Sequence, residues 1–399
     1  MAYISNVEIG IIVPQINGKY KKTVTDNVTY YSIGCKRNDT KKKMDKSLAN
    51  KYIEIIRDFS PDVIHVHGTE NNHGQIQRFV NGIPVVVSIQ GILAACLPYS
   101  RNYLSSKELF RFKSLKNYFH FGGLEANERV WSKGAKEYES DILHTNAYFV
   151  GRTQWDKAHI LMRNPKAKYY HGEELLRPAF YKEAGAWEVN LCQRHSIFMP
   201  SGFNPIKGLH LSIEAVTILK QKYLDVQLYV PGISNNIFYK NSLWRKIRGE
   251  EYLNYLNHLI KQKGLRENIH FLGRLNDEEM SKCLLKCNVF ISPSSIDNSS
   301  NAVGEAMMIG TPIVSTPVGG VTSILRGENN ALFAPAGDPY MLAYQIECIF
   351  ESDLLSQKIG HNAYQTALQR HNIEKTAQQY MEIYKSIVDD FKVLNFNEL

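Results

Sequence analysis

No stretch of the 399-residue chain approaches the roughly 18 unbroken apolar residues of a membrane-spanning helix. Its opening, MAYISNVEIGIIVPQ, has neither a basic leader region nor a small-residue cleavage site, so no secretory signal is read there. The six cysteines are scattered. Cys283 and Cys287 lie one helical turn apart, but no His or Cys pair completes a zinc site. Core packing and reduced thiols in a cytoplasmic protein are the reading for them. Three ligand motifs are also missing. There is no G-x-G-x-x-G after a strand, which argues against a nicotinamide cofactor. GFNPIKG carries a lysine but not the G-K-[ST] order of a P-loop. No Asp-x-Asp occurs, which argues against a metal-bridged diphosphate, and no metal site or cofactor is expected. Neither internal repeats nor low-complexity tracts are found.

What is present fits a soluble two-domain protein. The length is too great for one ordinary core. Hydrophobic residues make up 44% and charged residues 22%. The net charge of +8 favours anionic partners such as phosphates or acidic headgroups. Part of that excess is the run CKRNDTKKKMDK (35–46), best read as a solvated loop. In the C-terminal half, short apolar runs alternate with helical patterns. The runs are SIFMPS (196–201), VQLYVPG (226–232), NIHFLG (268–273), NVFISPS (288–294) and PIVSTPVGG (312–320). Such alternation predicts βαβ units and a doubly wound parallel sheet, whose strands open at their carboxyl ends into ligand-holding loops. The N-terminal half repeats the pattern less cleanly, with strands expected at 7–14, 27–34, 61–68, 84–91 and 147–152 and a helix at 44–59. Residues 373–391 read as a long helix. The expected division is an N-terminal domain over 1–185, a C-terminal domain over 190–370, and a terminal helix over 371–399 that packs back on the N-terminal domain.

The most informative stretch is SSIDNSSNAVGEAMMIGTP (294–312). A strand ends in a loop of Ser and Asn, and a helix starts near Asn301. A helix start carries free N–H groups and about half a positive charge, which makes it an anion site. Ser299, Ser300, Asn301 and Ala302 let a phosphate approach the backbone. Glu305, about one turn in, can accept both hydroxyls of a ribose. Asp297, at the strand end, can accept hydroxyls of whatever the phosphates carry. The bland alternative is a turn Asp and a first-turn Glu serving the helix dipole, worth about 0.3–1 kcal/mol. Context favours the site. Lys207 follows the first strand of this half, and Gly319 and Gly320 leave another strand end bare.

These residues, with EAMMIGTPIV, PVGG and the KG after the first C-terminal strand, resemble the retaining glycosyltransferases of family 4. The resemblance covers residues 190–370 and, less fully, 60–155 through PDVIHVHG, PVVVSIQG and YFVGRTQWD. It implies the GT-B fold: two Rossmann-like, doubly wound α/β domains facing a cleft, with the donor on the C-terminal domain and the acceptor on the other. It implies that Glu305 holds the donor ribose, Asp297 the transferred sugar and Lys207 the diphosphate. Arg274 and Leu275 would meet the base through their backbone, and amides of Ser300 to Ala302 would meet phosphate. The expected reacting centre comprises Asp297, Lys207, His67, favoured over His65 by its place at the strand end, and Gln90. Gln90 cannot take a proton at neutral pH, so its role is to orient a hydroxyl.

The chain departs from that pattern in four places, one being Gln90-Gly91, where the family often ends its second N-terminal-domain strand in His-Gly or His-Asp. The first acid is Asp297 rather than Glu, one methylene shorter. The position where the family often has an arginine, five residues before Lys207, is Gly202. Before Val7 the usual opening strand, Gly-rich loop and helix are absent, or else 7–14 is that strand with Gly18 as a shortened loop; absence is preferred. The segment ELFRFKSLKNYFHF (108–121) mixes aromatic and basic residues. It reads as a core-facing helix with a solvated basic face or as a helix lying on an anionic membrane. His65 reads as a packed histidine. Arg152, Trp155 and Asp156 read equally as a helix start or as functional groups.

The expected activity is metal-independent glycosyl transfer with retention, from a UDP- or GDP-linked sugar to a glycan or lipid-linked acceptor, in polysaccharide or glycoconjugate synthesis. The expected location is cytoplasmic, peripheral on the inner membrane face. No nucleic acid partner is expected. The rivals are a non-catalytic sugar-nucleotide-binding subunit and a sugar-nucleotide epimerase.

Overall fold

The computed structural model describes residues 7–36, 38–119, 122–239 and 250–396. Its contacts divide the chain into two units, each built from separate segments. Unit 1 comprises Met1–Ala95, Val130–Glu173 and Ile373–Leu399, and unit 2 comprises Cys96–Arg129 and Glu174–Asn372.

Unit 2 is built on a six-stranded parallel sheet. Its strands are β8 (Gln193–Phe198), β9 (Gln227–Val230), β10 (Ile269–Phe271), β11 (Cys287–Ser292), β12 (Ile313–Ser315) and β13 (Leu332–Phe333), in the order β10-β9-β8-β11-β12-β13. Every residue of β11 and β12 is buried, which is why these strands read as short, mostly apolar runs without polar alternation in the sequence. Ile197, Val289 and Ile291 pack into one layer with the helices Leu209–Leu219, Glu251–Gln262 and Pro339–Glu351. Phe198 and Phe290 face the opposite layer, formed by Asp277–Lys286, Asn301–Ile309 and Asp353–Arg370. The chain runs β8, β9, β10 in one direction, then returns to place β11 on the other side of β8. The strand order therefore reverses between β8 and β11, where doubly wound sheets open a crevice for ligands.

Unit 1 holds two sheets. The strands β4 (Ile64–His67), β5 (Val85–Ser88), β6 (Tyr148–Gly151) and β7 (Lys168–His171) pair in parallel in that order. Val85, Val87 and Phe149 face one core. Val86, Tyr148 and Val150 face the other, closed by Ile383 and Ile387 of the Ile373–Phe396 helix. That helix is also held by a hydrogen bond between Tyr384 and His65 (2.6 Å) and one from Tyr148 to Asp390 (2.7 Å).

The other sheet orders β1 (Ile9–Ile16), β3 (Val28–Cys35) and β2 (Lys21–Thr25), with β1 parallel and β2 antiparallel to β3. Between β1 and β2 there is only a turn, with Asn17 at a φ of 56°, and no helix. Tyr31 and Ile33 pack under the helix Lys46–Phe59, but Ile11, Val13 and Tyr30, in register on the opposite face, stay exposed. Among the described residues no ladder joins this sheet to β4, so pairing does not close the N-terminal sheet.

One sequence expectation needs correction. Residues 108–121 do not form a single helix: two short helices, Ser106–Phe110 and Leu115–Phe119, flank a break, and His120 and Phe121 lie outside the described residues. The break follows from Phe112. Its carbonyl accepts from Asn254 at 3.0 Å and its ring meets Tyr255 and His258, which draws the chain inward. Ser114 then starts the second helix, accepting from the Asn117 amide at 3.3 Å.

Candidate active site

A cavity of about 220 Å³ opens in unit 2 at the reversal point of the sheet. Met199, Pro200 and Ser201 after β8 line one side. Ile291, Ser292 and Ser294 at the end of β11 line another. Ser300, Ala302 and Glu305 come from the start of the Asn301–Ile309 helix, and Lys207 and Arg177 close the rim. Met280 of the Asp277–Lys286 helix completes the lining.

Local chemistry fixes each part. Asn204 caps a short 3-10 turn, Pro205–Lys207, by accepting from the Ile206 amide at 3.2 Å. Gly208 then takes a φ of 82°, and a Cβ there would stand 2.3 Å from the Pro293 carbonyl. Only glycine lets the Lys207 turn lie on the end of β11. The Ser295 amide donates to the Ile206 carbonyl at 2.9 Å and ties the two loops together. Gly319, at a φ of 53°, lies against the Asp297 carbonyl, where a Cβ would come within 2.1 Å, and the Gly320 amide donates to the same carbonyl at 2.9 Å. The two glycines thus grip the acidic loop. Ser300 occupies the N-cap position of the following helix, but its side chain makes no capping bond.

Two ion pairs organise the charge. Lys207 Nζ donates to Asp297 Oδ2 at 2.7 Å. Arg177 grips Glu305 through two bonds, Nε to Oε1 at 2.8 Å and Nη2 to Oε2 at 3.0 Å. The bidentate geometry is the strong form of this contact. It pushes the guanidinium's pKa above its ordinary value, against the opposing effect of burial. Glu305 is 4% exposed. The hydroxyl of Ser294, a residue 1% exposed and on the cavity wall, has no hydrogen-bond partner among the described residues. A buried hydroxyl left so costs about 1–3 kcal/mol unless something in the cavity meets it.

Of the sequence candidates, Lys207, Ser300, Ala302 and Glu305 line this cavity, and Asp297 is held beside it through Lys207. Ser299 and Asn301 flank the wall without lining it, and Ser299 accepts from Arg370 at 3.4 Å. Arg274 and Leu275 lie in the loop after β10, outside the lining, with Arg274 exposed and Leu275 packed against the core. Gly202 has no room for a side chain, since a Cβ would meet Leu209 Cδ2 at 2.7 Å.

His67 and Gln90 belong to unit 1. His67 is exposed at the end of β4, its ring stacked 4.4 Å from that of His65. His65 bonds Tyr384 and Ser88, and burial pulls its pKa down to about 3. Gln90, after β5, accepts from Arg152 Nη2 at 3.0 Å.

Two groups escaped the sequence reading. Arg177 immediately precedes Pro178 at a helix start, so its sequence marks a boundary but not the cavity it reaches. In unit 1, the Glu70 carboxylate spans the ends of β4 and β5, where Gly68 and Gly91 leave it space, and burial raises its pKa.

Among the described residues no group of His, Cys, Asp and Glu is placed to hold a metal ion, and no helix is long and apolar enough to cross a membrane.

Known proteins place the fold and the cavity-bearing half. Residues 193–366 match the family described as glycosyl transferases group 1. The chain is 26% identical over 194 residues to a phosphatidyl-myo-inositol mannosyltransferase of Mycobacterium leprae, covering 48% of this chain and 46% of that protein. It is 25% identical over 185 residues to a D-inositol 3-phosphate glycosyltransferase of Corynebacterium urealyticum, covering 46% and 41%. The matches thus span less than half of each relative. Among solved structures, sucrose-phosphate synthase of Thermosynechococcus elongatus aligns with a TM-score of 0.67 at 15% identity, over 96% of this chain and 89% of that one. Anabaena Alr3699/HepE in complex with UDP aligns with a TM-score of 0.56 at 18% identity, over 85% and 82%. At such identities the structural likeness is one of fold.

Proposed function

We propose, from the premise that residues 193–366 belong to the glycosyl transferases group 1 on a GT-B fold, that this protein transfers a sugar from a nucleotide-sugar donor to a glycan or lipid-linked acceptor. The observation that carries this reading is the unit 2 cavity. It joins a helix start, two cations and a buried carboxylate at the reversal point of a parallel sheet. In this reading Glu305 receives the ribose hydroxyls, and the helix start and Lys207 receive the diphosphate. Asp297, fixed by Lys207, receives hydroxyls of the transferred sugar.

The chemistry follows from the charges. The bond that breaks joins the sugar's anomeric carbon to a phosphate oxygen. Negative charge grows on that oxygen, and prearranged positive charge at Lys207 and the helix start stabilises it. Asp297 is engaged by an ammonium group, which makes it a poor nucleophile for a double displacement. The acceptor hydroxyl therefore attacks from the face the diphosphate leaves, and the departing phosphate oxygen takes the hydroxyl proton, with retention at the anomeric carbon. No metal is assigned a step.

The lipid-linked form of the acceptor is supported by an exposed patch in unit 2. Phe110, Leu115, Tyr118 and Phe119 stand outward beside Arg111 and Lys116. Lys113 is not part of the basic edge, because it is partly buried and held in an ion pair with Glu125 at 2.9 Å.

The test is to mix the purified protein with UDP- and GDP-linked sugars and follow thermal shift, hydrolysis and transfer. Binding with hydrolysis or transfer is the expected result. Binding without turnover supports a non-catalytic subunit, and formation of an epimer supports an epimerase. Asp297→Ala should keep nucleoside diphosphate affinity and lose turnover, whereas equal loss of both contradicts the assignment of the two acids.

A further inference from the structure

We infer that Arg177 is a donor-binding residue, which holds Glu305 and hands that carboxylate to the donor's ribose while its own guanidinium moves to the diphosphate. The inference rests on the nucleotide-sugar reading of the cavity.

Three observations carry it. First, Arg177 Nε and Nη2 occupy both oxygens of Glu305, at 2.8 and 3.0 Å. The Glu305 side chain is only 5% exposed, so little of it is left for further donors. A ribose must use the same oxygens.

Second, the partners differ in freedom. Glu305 is fixed within the Asn301–Ile309 helix, whose residues 303–309 are all buried. The Arg177 side chain is 45% exposed on a flexible stem, so the guanidinium is the member that moves. The Phe180 ring, 4.9 Å from the guanidinium carbon, offers it a second attractive surface over which to turn.

Third, the lining holds two cations, Arg177 and Lys207, and each sits on an acid. With both pairs closed, the described lining offers a diphosphate only the helix start as uncommitted positive charge. Moving Arg177 alone would strip a buried carboxylate of its partner, which costs several kcal/mol. Two ribose hydroxyls supply the replacement donors. Ribose and diphosphate binding are therefore coupled through one side chain, and neither half of the nucleotide gains the full site without the other.

The experiment is calorimetric titration of the full chain with UDP, GDP, uridine and guanosine, for the wild type, Arg177→Gln and Arg177→Lys. Melting curves of each variant check that it is folded. In Arg177→Gln the affinity for the nucleoside diphosphate should fall by about tenfold or more. The affinity for the matching nucleoside should hold or rise, because Glu305 loses its competitor. Arg177→Lys should recover part of the diphosphate affinity and none of the bidentate grip. If nucleoside and diphosphate affinity fall together, Arg177 only orients Glu305 and the inference is overturned. If the wild type binds neither UDP nor GDP, the nucleotide-sugar reading itself fails, and the inference with it.

Discussion

The sheet of unit 2 is parallel throughout, whereas the small sheet β1-β3-β2 of unit 1 has one parallel and one antiparallel pairing, and the two live in opposite surroundings. Unit 2 covers its sheet on both faces, and β11 and β12 are buried throughout. Among the described residues, the β1 sheet has the helix Lys46–Phe59 on one face and leaves Ile11, Val13 and Tyr30 exposed on the other. A parallel sheet gains its stability from coverage, because its backbone ladders and apolar side chains need water excluded on both sides. The well-covered scaffold and the cavity thus coincide in unit 2, whereas the β1 sheet gains less from burial.

The strongest way to break this contrast is to hollow each sheet. Phe290→Ala should cost about 3–5 kcal/mol in urea unfolding. Val13→Ala should stay within about 0.5 kcal/mol. Comparable losses would mean that the outer face of the β1 sheet is covered in solution.

A second test asks whether the open strand ends of unit 2 hold the ligand. Glu305→Ala removes charged hydrogen bonds worth about 1.5–3 kcal/mol. Nucleoside diphosphate binding should weaken by about ten- to hundredfold in titration calorimetry.

Acid should separate the units further. Burial pulls His65 to about 3 and His73 to about 4 in unit 1, and His210 to about 4 in unit 2. Their folded pKa values lie below the ordinary 6.5, so the unfolded chain binds the extra protons. The stability they contribute is whole above pH 6.5 and is lost as pH falls toward 4. At pH 5 each costs about 2 kcal/mol. Unit 1, with two such groups, should unfold first in urea melts at pH 5 followed by unit-specific probes, and His65→Gln should flatten the dependence. Simultaneous unfolding at every pH would count against it.

The mildest test compares two uncovered apolar surfaces. The Phe110–Phe119 patch carries flanking cations, each worth about 1 kcal/mol near an acidic bilayer. The protein should float with phosphatidylserine vesicles at low salt. Arg111→Glu with Lys116→Glu should abolish flotation, and Val13→Ser should not. Absence of flotation in the wild type removes the membrane proposal.

Coverage also explains what was legible in the sequence. Buried parallel strands read as apolar runs, so β8 to β12 and the helices between them stood out within a few residues. β2 was missed because all five of its residues are exposed and Lys21–Thr25 shows no apolar alternation. The cavity's helix start, Lys207 and Glu305 were readable because they sit at fixed offsets from strand ends. Arg177 was not: its meeting with Glu305 spans 128 residues, and a lone arginine before a proline carries no trace of it. The strand order that sets the crevice between β8 and β11 is likewise a property of the folded sheet. Phe112, half-buried against Tyr255, shows how one long-range contact splits a segment that looks helical on its own.

The segmentation of the chain has a consequence for its birth on the ribosome. Unit 2 has all its residues once Asn372 has emerged, but unit 1 still lacks the helix that covers Val86, Tyr148 and Val150. The bond between His65 and Tyr384 joins residues 319 apart, so the half synthesised first is finished last. During that interval the bare face of β4–β7 is open to chaperones and to aggregation, while unit 2 has the residues it needs to fold.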